Sequence, residues 1–132
     1  MSMQRINSWI AYGKEALDEI GIAKDGKIVK TFRGQISSFG AAISMGNLKS
    51  AVAFFSEQAG ASVPRENLLR AIWFVLKRSE GIKKEDILSK PIKTNEIFAY
   101  VCENDSVALK NDFLDAAVAI KLAMNLFDLI KE

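Results

Sequence analysis

The sequence predicts an all-α fold, a compact bundle of five to seven helices in a single domain spanning residues 1–132, and three observations carry that expectation. Apolar residues recur at steps of three and four along nearly the whole chain, the spacing that stacks side chains on one face of an α-helix. Turn and capping residues fall between the periodic runs: Gly21, Gly46-Asn47, Pro64 and Asn104-Asp105-Ser106. Only Lys27-Ile28-Val29-Lys30 has the composition of a strand, so no sheet is expected. With 49% hydrophobic and 26% charged residues, a chain of 132 residues is an ordinary folded domain. Folding at this length removes roughly two-thirds of the unfolded surface from water, without disulfides or metal as staples.

The first helix is expected over Ser2 to Ile20, with Met3, Ile6, Trp9, Ile10, Ala16, Leu17 and Ile20 inward and Gly21 closing it. Ala23-Lys24-Asp25-Gly26-Lys27 is polar and contains a turn glycine, which marks a loop. Ile28, Phe32, Ile36, Phe39 and Ile43 then stack on one face of a long second helix. Gly46 should end it in the left-handed conformation, and Asn47 should cap a third helix that buries Leu48, Ala51, Val52, Phe55 and Ala59 and stops at Gly60. The two greasy faces form a helix hairpin around a shared core.

Ser62 is a suitable cap and Pro64 a suitable first-turn residue for the fourth helix, which places Leu68, Leu69, Ile72, Val75 and Leu76 inside. Arg70, Phe74 and Lys77 fall on its far side with Trp73 beside them. Such a mixture of cations and rings suits nucleic acid, but a second core layer or a protein interface is the preferred reading. Ser79 to Lys93 reads as a connector with one helical turn at Lys84 to Leu88. Thr94 should cap a short helix holding Ile97, Phe98, Val101 and Cys102, the last as a small buried hydrophobe.

The final helix is expected from about Val107 to Lys131, roughly 35 Å at 1.5 Å per residue. Phe113, Ala117, Ile120, Met124 and Phe127 line one side, and Leu114, Val118, Leu122 and Leu129 line nearly the opposite one. A helix apolar on both sides is central in a bundle, or gives its second side to another chain.

Histidine is absent, which removes the commonest general base and zinc ligand together with Ser/His and Cys/His nucleophilic schemes. The acids fall in short helical clusters such as Glu15/Asp18/Glu19 and Asp112/Asp115, read as solvated faces, and no phosphate-cradling GxxxxGK[ST] motif occurs. A carboxylate-dependent metal hydrolase is therefore only an outlying reading; the expectation is a protein that is not an enzyme, with no metal, no cofactor and no small-molecule substrate. The lone Cys102 and the mixed charges of the first 20 residues fit a reducing cytoplasm, and no run is long and apolar enough to span a membrane.

The long amphipathic helix, the Gly46-Asn47-Leu48 turn and the following Val52-Ala53-Phe54 together resemble the small all-helical subunit of type III-B CRISPR RNA-guided effector complexes, the Cmr complex. That family reads Asn-Gly-Leu and then Leu-Ala-Phe; here the turn order is swapped, and Phe39-Gly40 stands near the place of a proline common in the family. Leu68 to Lys77 and Leu109 to Glu132 resemble the family's later helices in order and spacing, so the likeness covers most of the chain. The resemblance implies a non-catalytic subunit of antiviral defence that packs in a helical filament with other Cmr subunits and further copies of itself, and helps line the channel for the crRNA/target RNA duplex. The competing expectation is a helical adaptor or homo-oligomeric interaction module without nucleic acid.

The charge pattern bears on both. Net charge is +2, but the segment from Lys24 to Lys93 has 13 basic and six acidic residues, and no acid occurs between Gly26 and Ser56. The candidate nucleic-acid-binding residues are Lys27, Lys30, Arg33, Lys49, Arg70 and Lys77. Opposite the Phe32 face, Lys30, Gly34, Ser37, Ala41 and Ser44 make a lean helix surface. Close approach of a neighbouring helix is the first explanation of it, and a shallow groove for a phosphate backbone the second.

Overall fold

In a computed structural model, which describes residues 1–56 and 63–132, seven α-helices account for most of the chain. They are α1 (Met3–Ile20), α2 (Lys30–Met45), α3 (Leu48–Ser56), α4 (Glu66–Ser79), α5 (Lys84–Ile87), α6 (Thr94–Asn104) and α7 (Val107–Ala123). The expected all-α bundle is present. The expected absence of any sheet is corrected by two three-residue strands, β1 (Lys27–Val29) and β2 (Asp128–Ile130), which pair in parallel with Lys27 opposite Asp128, Ile28 opposite Leu129 and Val29 opposite Ile130. Ala59, Gly60 and Ser62, expected at the end of the third helix and the start of the fourth, lie outside the described residues.

Local chemistry explains most boundaries. The Ser2 hydroxyl accepts from the Arg5 N–H at the start of α1, and Gly21, with φ 88°, closes it by donating its N–H to Asp18 O. Asn47 Oδ1 accepts from the Ser50 N–H at 2.8 Å, and Ser106 Oγ accepts from the Leu109 N–H at 3.0 Å to open α7. Thr94 is the first residue of α6 rather than its cap, a position held by Lys93. Pro64 precedes α4 by two residues, and its carbonyl accepts from the Asn67 N–H. Gly46 is not left-handed: its φ is −126°, and it ends α2 by donating its N–H to Ala42 O.

The core lies among α1, α2, α4 and α7. Helices α1 and α7 run side by side in the same direction, since Arg5 meets Asp112 and Asp115 at one end while Gly13 lies against Ala119, Ile120 and Ala123 further along. A Cβ on Gly13 would come within 3.2 Å of both the Ala119 carbonyl oxygen and the Ala123 Cβ, so the missing side chain allows this close approach. The hairpin of α2 and α3 shares its core as expected, with Phe39 and Phe55 edge to face at 4.9 Å. Arg78 Nε donates to Glu15 at 2.7 Å, and Lys84 pairs with Glu19 at 3.3 Å, tying α4 and α5 to α1. The bond to Glu19 and its negative charge hold the Lys84 ammonium above its ordinary value of 10.5; that contact is fully present at neutral pH and is lost as pH rises through the raised value.

Five further expectations are corrected by burial and course. The final helix stops at Ala123 and is about 25 Å long; a 3₁₀ turn over Met124–Leu126 leads into β2, so Phe127 and Leu129 are extended rather than helical. Its central position is as expected, with α1, α2 and α4 all packed on it and Leu114, Val118 and Leu122 half-buried against the core. Ile28 is fully buried in β1, outside α2. Met3 and Cys102 are exposed, and Phe74 is fully buried because α4 is covered on several sides.

Candidate nucleic-acid interface

Between the first two helices the chain turns sharply. Asp25 and Gly26 both have positive φ, 53° and 75°, and Lys24 and Lys27 exchange backbone hydrogen bonds of 2.9 and 3.0 Å across them. This is the tight turn an Asp-Gly pair favours, and it brings Lys24 and Lys27 together. Three residues later Lys30 opens α2, exposed, with Arg33 one turn on. The Arg33 Nη1 donates to Asn125 Oδ1 at 2.6 Å, which anchors its guanidinium to the 3₁₀ turn and keeps its head at the surface.

The parallel pairing of β1 with β2 adds a cation that is distant in sequence. Val29 and Ile130 are register partners, so Lys30 and Lys131, the next residue of each strand, leave the sheet as neighbours. Lys24 and Lys27 thus lie at the start of the strand pair, and Lys30, Arg33 and Lys131 at its other end and on the first turn of α2. Asp25 lies in the turn and Asp128 opposite Lys27, so the positive field is moderated at that edge. Beside it opens a cleft of about 280 Å³, lined among others by Lys24, Lys27, Val29, Phe32, Asn67 and Ile130.

The remaining candidates stand elsewhere. Lys49, the second residue of α3, lies beyond the far end of α2, separated from Lys30 by about 24 Å of helix, and is 4.0 Å from Asp105. Arg70 is half-buried: its Nε donates to Ile92 O at 2.8 Å and its Nη1 to Asn67 Oδ1 at 2.7 Å, which pins the connector before α6 to α4. The Lys77 ammonium sits 4.4 Å from the Trp73 ring centroid and 5.4 Å from that of Tyr100, and pairs with Glu80 at 3.4 Å. Trp73 packs edge to face on Tyr100 at 5.2 Å, so this ring cluster joins α4 to α6 within the chain.

The lean face of α2 is uncovered. Gly34, Ser37, Ala41 and Ser44 are exposed, and a Cβ built on Gly34 meets nothing within 4 Å, so among the described residues no close approach by another helix explains the small residues. Lys24, Lys131 and Asn125 are absent from the sequence-based candidates. The only sequence signal for Lys24 is its Asp-Gly turn; Lys131 and Asn125 are brought in by tertiary contacts alone.

Among the described residues no group of three or more Cys, Asp or Glu side chains could hold a metal ion, and no helix is long and apolar enough to cross a membrane. Compared with protein-family models, with curated proteins and with solved structures, the chain gives no significant match.

Proposed function

We propose that this chain is a non-catalytic small subunit of a type III-B (Cmr) RNA-guided complex, in which the basic residues along β1, β2 and the start of α2 help line the channel for paired crRNA and target RNA. The observation that carries this reading is the row of Lys24, Lys27, Lys30, Arg33 and Lys131 along the strand pair and the first turn of α2, beside a helix face of small residues that nothing among the described residues covers. Cations along such a surface can meet phosphates, while small side chains leave room for a backbone. The helix hairpin at Gly46-Asn47-Leu48 and the order of the later helices support the same family through their resemblance to it. Sequence reading then falls to base pairing between RNAs, and the protein contributes shape and charge. Lys49 stands apart beside Asp105, and Arg70 and Lys77 serve internal packing.

The test is a double reversal, Lys30→Glu with Lys131→Glu, in subunits rebuilt into the complex. Both are exposed, so the isolated fold should keep its unfolding midpoint. RNA binding by the complex should weaken at least tenfold, and the slope of log K against log salt should flatten by about 0.7 to 0.9 per lost phosphate contact. Superimposable titrations for wild type and variant, at two salt concentrations, would remove this end of the molecule from the RNA path and favour a purely structural adaptor.

A further inference from the structure

Helix α7 is packed by α1, α2 and α4, and its remaining side faces outward. Along that side run Val107, Asn111, Leu114, Val118 and Leu122, at steps of four, three, four and four. Such steps are those of the seam by which two helices pair. Val107 is 75% exposed, and the other four keep part of their surface open. This is the second apolar side of the final helix, nearly opposite the buried Phe113, Ala117 and Ile120, and the chain's own packing leaves it incompletely covered.

Helix α2 runs antiparallel beside α7: Arg33, near its start, reaches Asn125 beyond the end of α7, while Gly46 and Asn47 share a cleft with Val107 and Lys110. In line with Arg33 along α2 come Ser37 and Ser44, exposed and short, so that helix does not overhang the stripe. Charge on this face has one sign. Lys110 and Lys121 flank the stripe and enter no ion pair among the described residues, and α2 contains no acid. The acids of α7, Asp112 and Asp115, are both turned to Arg5 on α1, and Asp105, before its start, lies 4.0 Å from Lys49.

We propose that the outer face of α7 pairs with one amphipathic helix of a different protein, about four turns long, whose apolar stripe is flanked by acids. Val107 to Leu122 measures about 22 Å, which sets that length. The partner's apolar residues cover the stripe, and its carboxylates meet Lys110, Lys121 and Arg33 at the edges, where flanking charges set partner choice. Asn111, a polar residue within the stripe, fixes the register. A second copy of this chain does not supply such a helix. Two α7 faces brought together would set Lys110, Lys121 and Arg33 against the same cations, a repulsion that selects against self-pairing. The acidic α6 spans only 11 residues and turns Ile97, Phe98 and Val101 to its own core. RNA suits the stripe poorly, because phosphates gain nothing from Val107, Leu114 and Val118. Lys24, Lys27, Lys30 and Lys131 lie outside the stripe, so reversing Lys30 and Lys131 tests the RNA path and leaves this pairing intact.

The test uses the full chain and three blocked peptides of about 16 residues, a little over four helical turns. The first carries leucines at steps of three and four with glutamates beside them. The second has the same composition with its leucines spread around the helix, and the third has lysine in place of each glutamate. Binding is followed by fluorescence anisotropy and mapped by backbone amide NMR shifts. The first peptide should bind saturably, with a Kd at least tenfold below those of the other two, and the largest shifts should fall on residues 107–122. Val107→Ser changes an exposed side chain and should keep the fold, while raising that Kd at least threefold. Reversing Lys110 and Lys121 to Glu should invert the order, so that the lysine peptide binds more tightly than the glutamate one. Equal Kd values for the first two peptides, shifts centred elsewhere, or an unchanged order after the reversal would overturn the pairing. Sedimentation should show no self-association that Val107→Ser weakens; such association would make a second copy the occupant. Labelled RNA that shifts Leu114 and Val118 and displaces the peptide would make the occupant a nucleic acid, and either result overturns the assignment to a helix of a different protein.

Discussion

Gly46 shows how one residue can hold the expected place for an unexpected reason. Its φ of −126° is not left-handed, but a Cβ built on it lies 2.9 Å from the Ala42 carbonyl oxygen, the atom that accepts its own N–H. The obstacle is therefore backbone crowding at a helix end, which no side chain escapes. Gly46→Ala, Gly46→Asn and Gly46→Val should each destabilise the fold by on the order of 1 to 2 kcal/mol or more, as overpacked positions do. Chemical denaturation of the three variants checks this. If asparagine recovers most of the loss relative to alanine, the turn is left-handed in solution and the crowding argument fails. Asp115 teaches the converse, because its type and spacing suggest a solvated acid while the packing of α1 on α7 buries it.

At the level of elements, the most consequential feature is the short parallel sheet. Residues Met124 to Lys131 have acceptable helical spacing, yet the chain leaves the helix so that β2 can pair with β1 and place Leu129 beside the fully buried Ile28. The Asp128 N–H donates to Gly26 O at 2.9 Å, which fastens the chain end to the turn before β1. Truncation after Phe127 should expose Ile28 and lower stability by about 1.5 to 3 kcal/mol, the scale of one large buried aliphatic side chain. Helical content measured by far-ultraviolet circular dichroism should stay close to that of the full chain, because the lost residues are not helical. An unchanged denaturation midpoint would show that the pairing contributes nothing in solution.

For the whole molecule, charge sets the limit on what a single copy can do. A net charge of +2, with Asp25 and Asp128 at the edge of the basic end, gives the monomer few phosphate contacts. The isolated chain should therefore bind single-stranded RNA only weakly at physiological salt, with affinity falling steeply as salt is raised. In the proposed assembly the same contacts would recur along the RNA, and each later one would form at high effective concentration. Fluorescence anisotropy with labelled RNA checks the first statement: submicromolar, salt-insensitive binding by the monomer would mean that the affinity arises from contacts other than this modest set of cations.

What the sequence determined by itself was local. Periodicity at three and four residues, Gly21, Asn47 and Ser106 specify where helices run, start and stop, because capping bonds and side-chain stacking involve residues a few positions apart. The turn at Asp25-Gly26 and the exposed Lys27 and Lys30 are legible for the same reason. Tertiary structure alone decided the rest. Lys131 joins Lys30, and Asn125 meets Arg33, because strand pairing and side-chain contacts bring together residues about a hundred positions apart, for which no local pattern exists. Packing also turned the potential last two turns of the final helix into a strand, since a buried Ile28 and paired backbone groups outweigh a local helical preference that differs from other conformations by less than a kilocalorie per residue. The burial of Asp115 and Phe74, and the exposure of Cys102, follow from which faces the neighbouring helices cover.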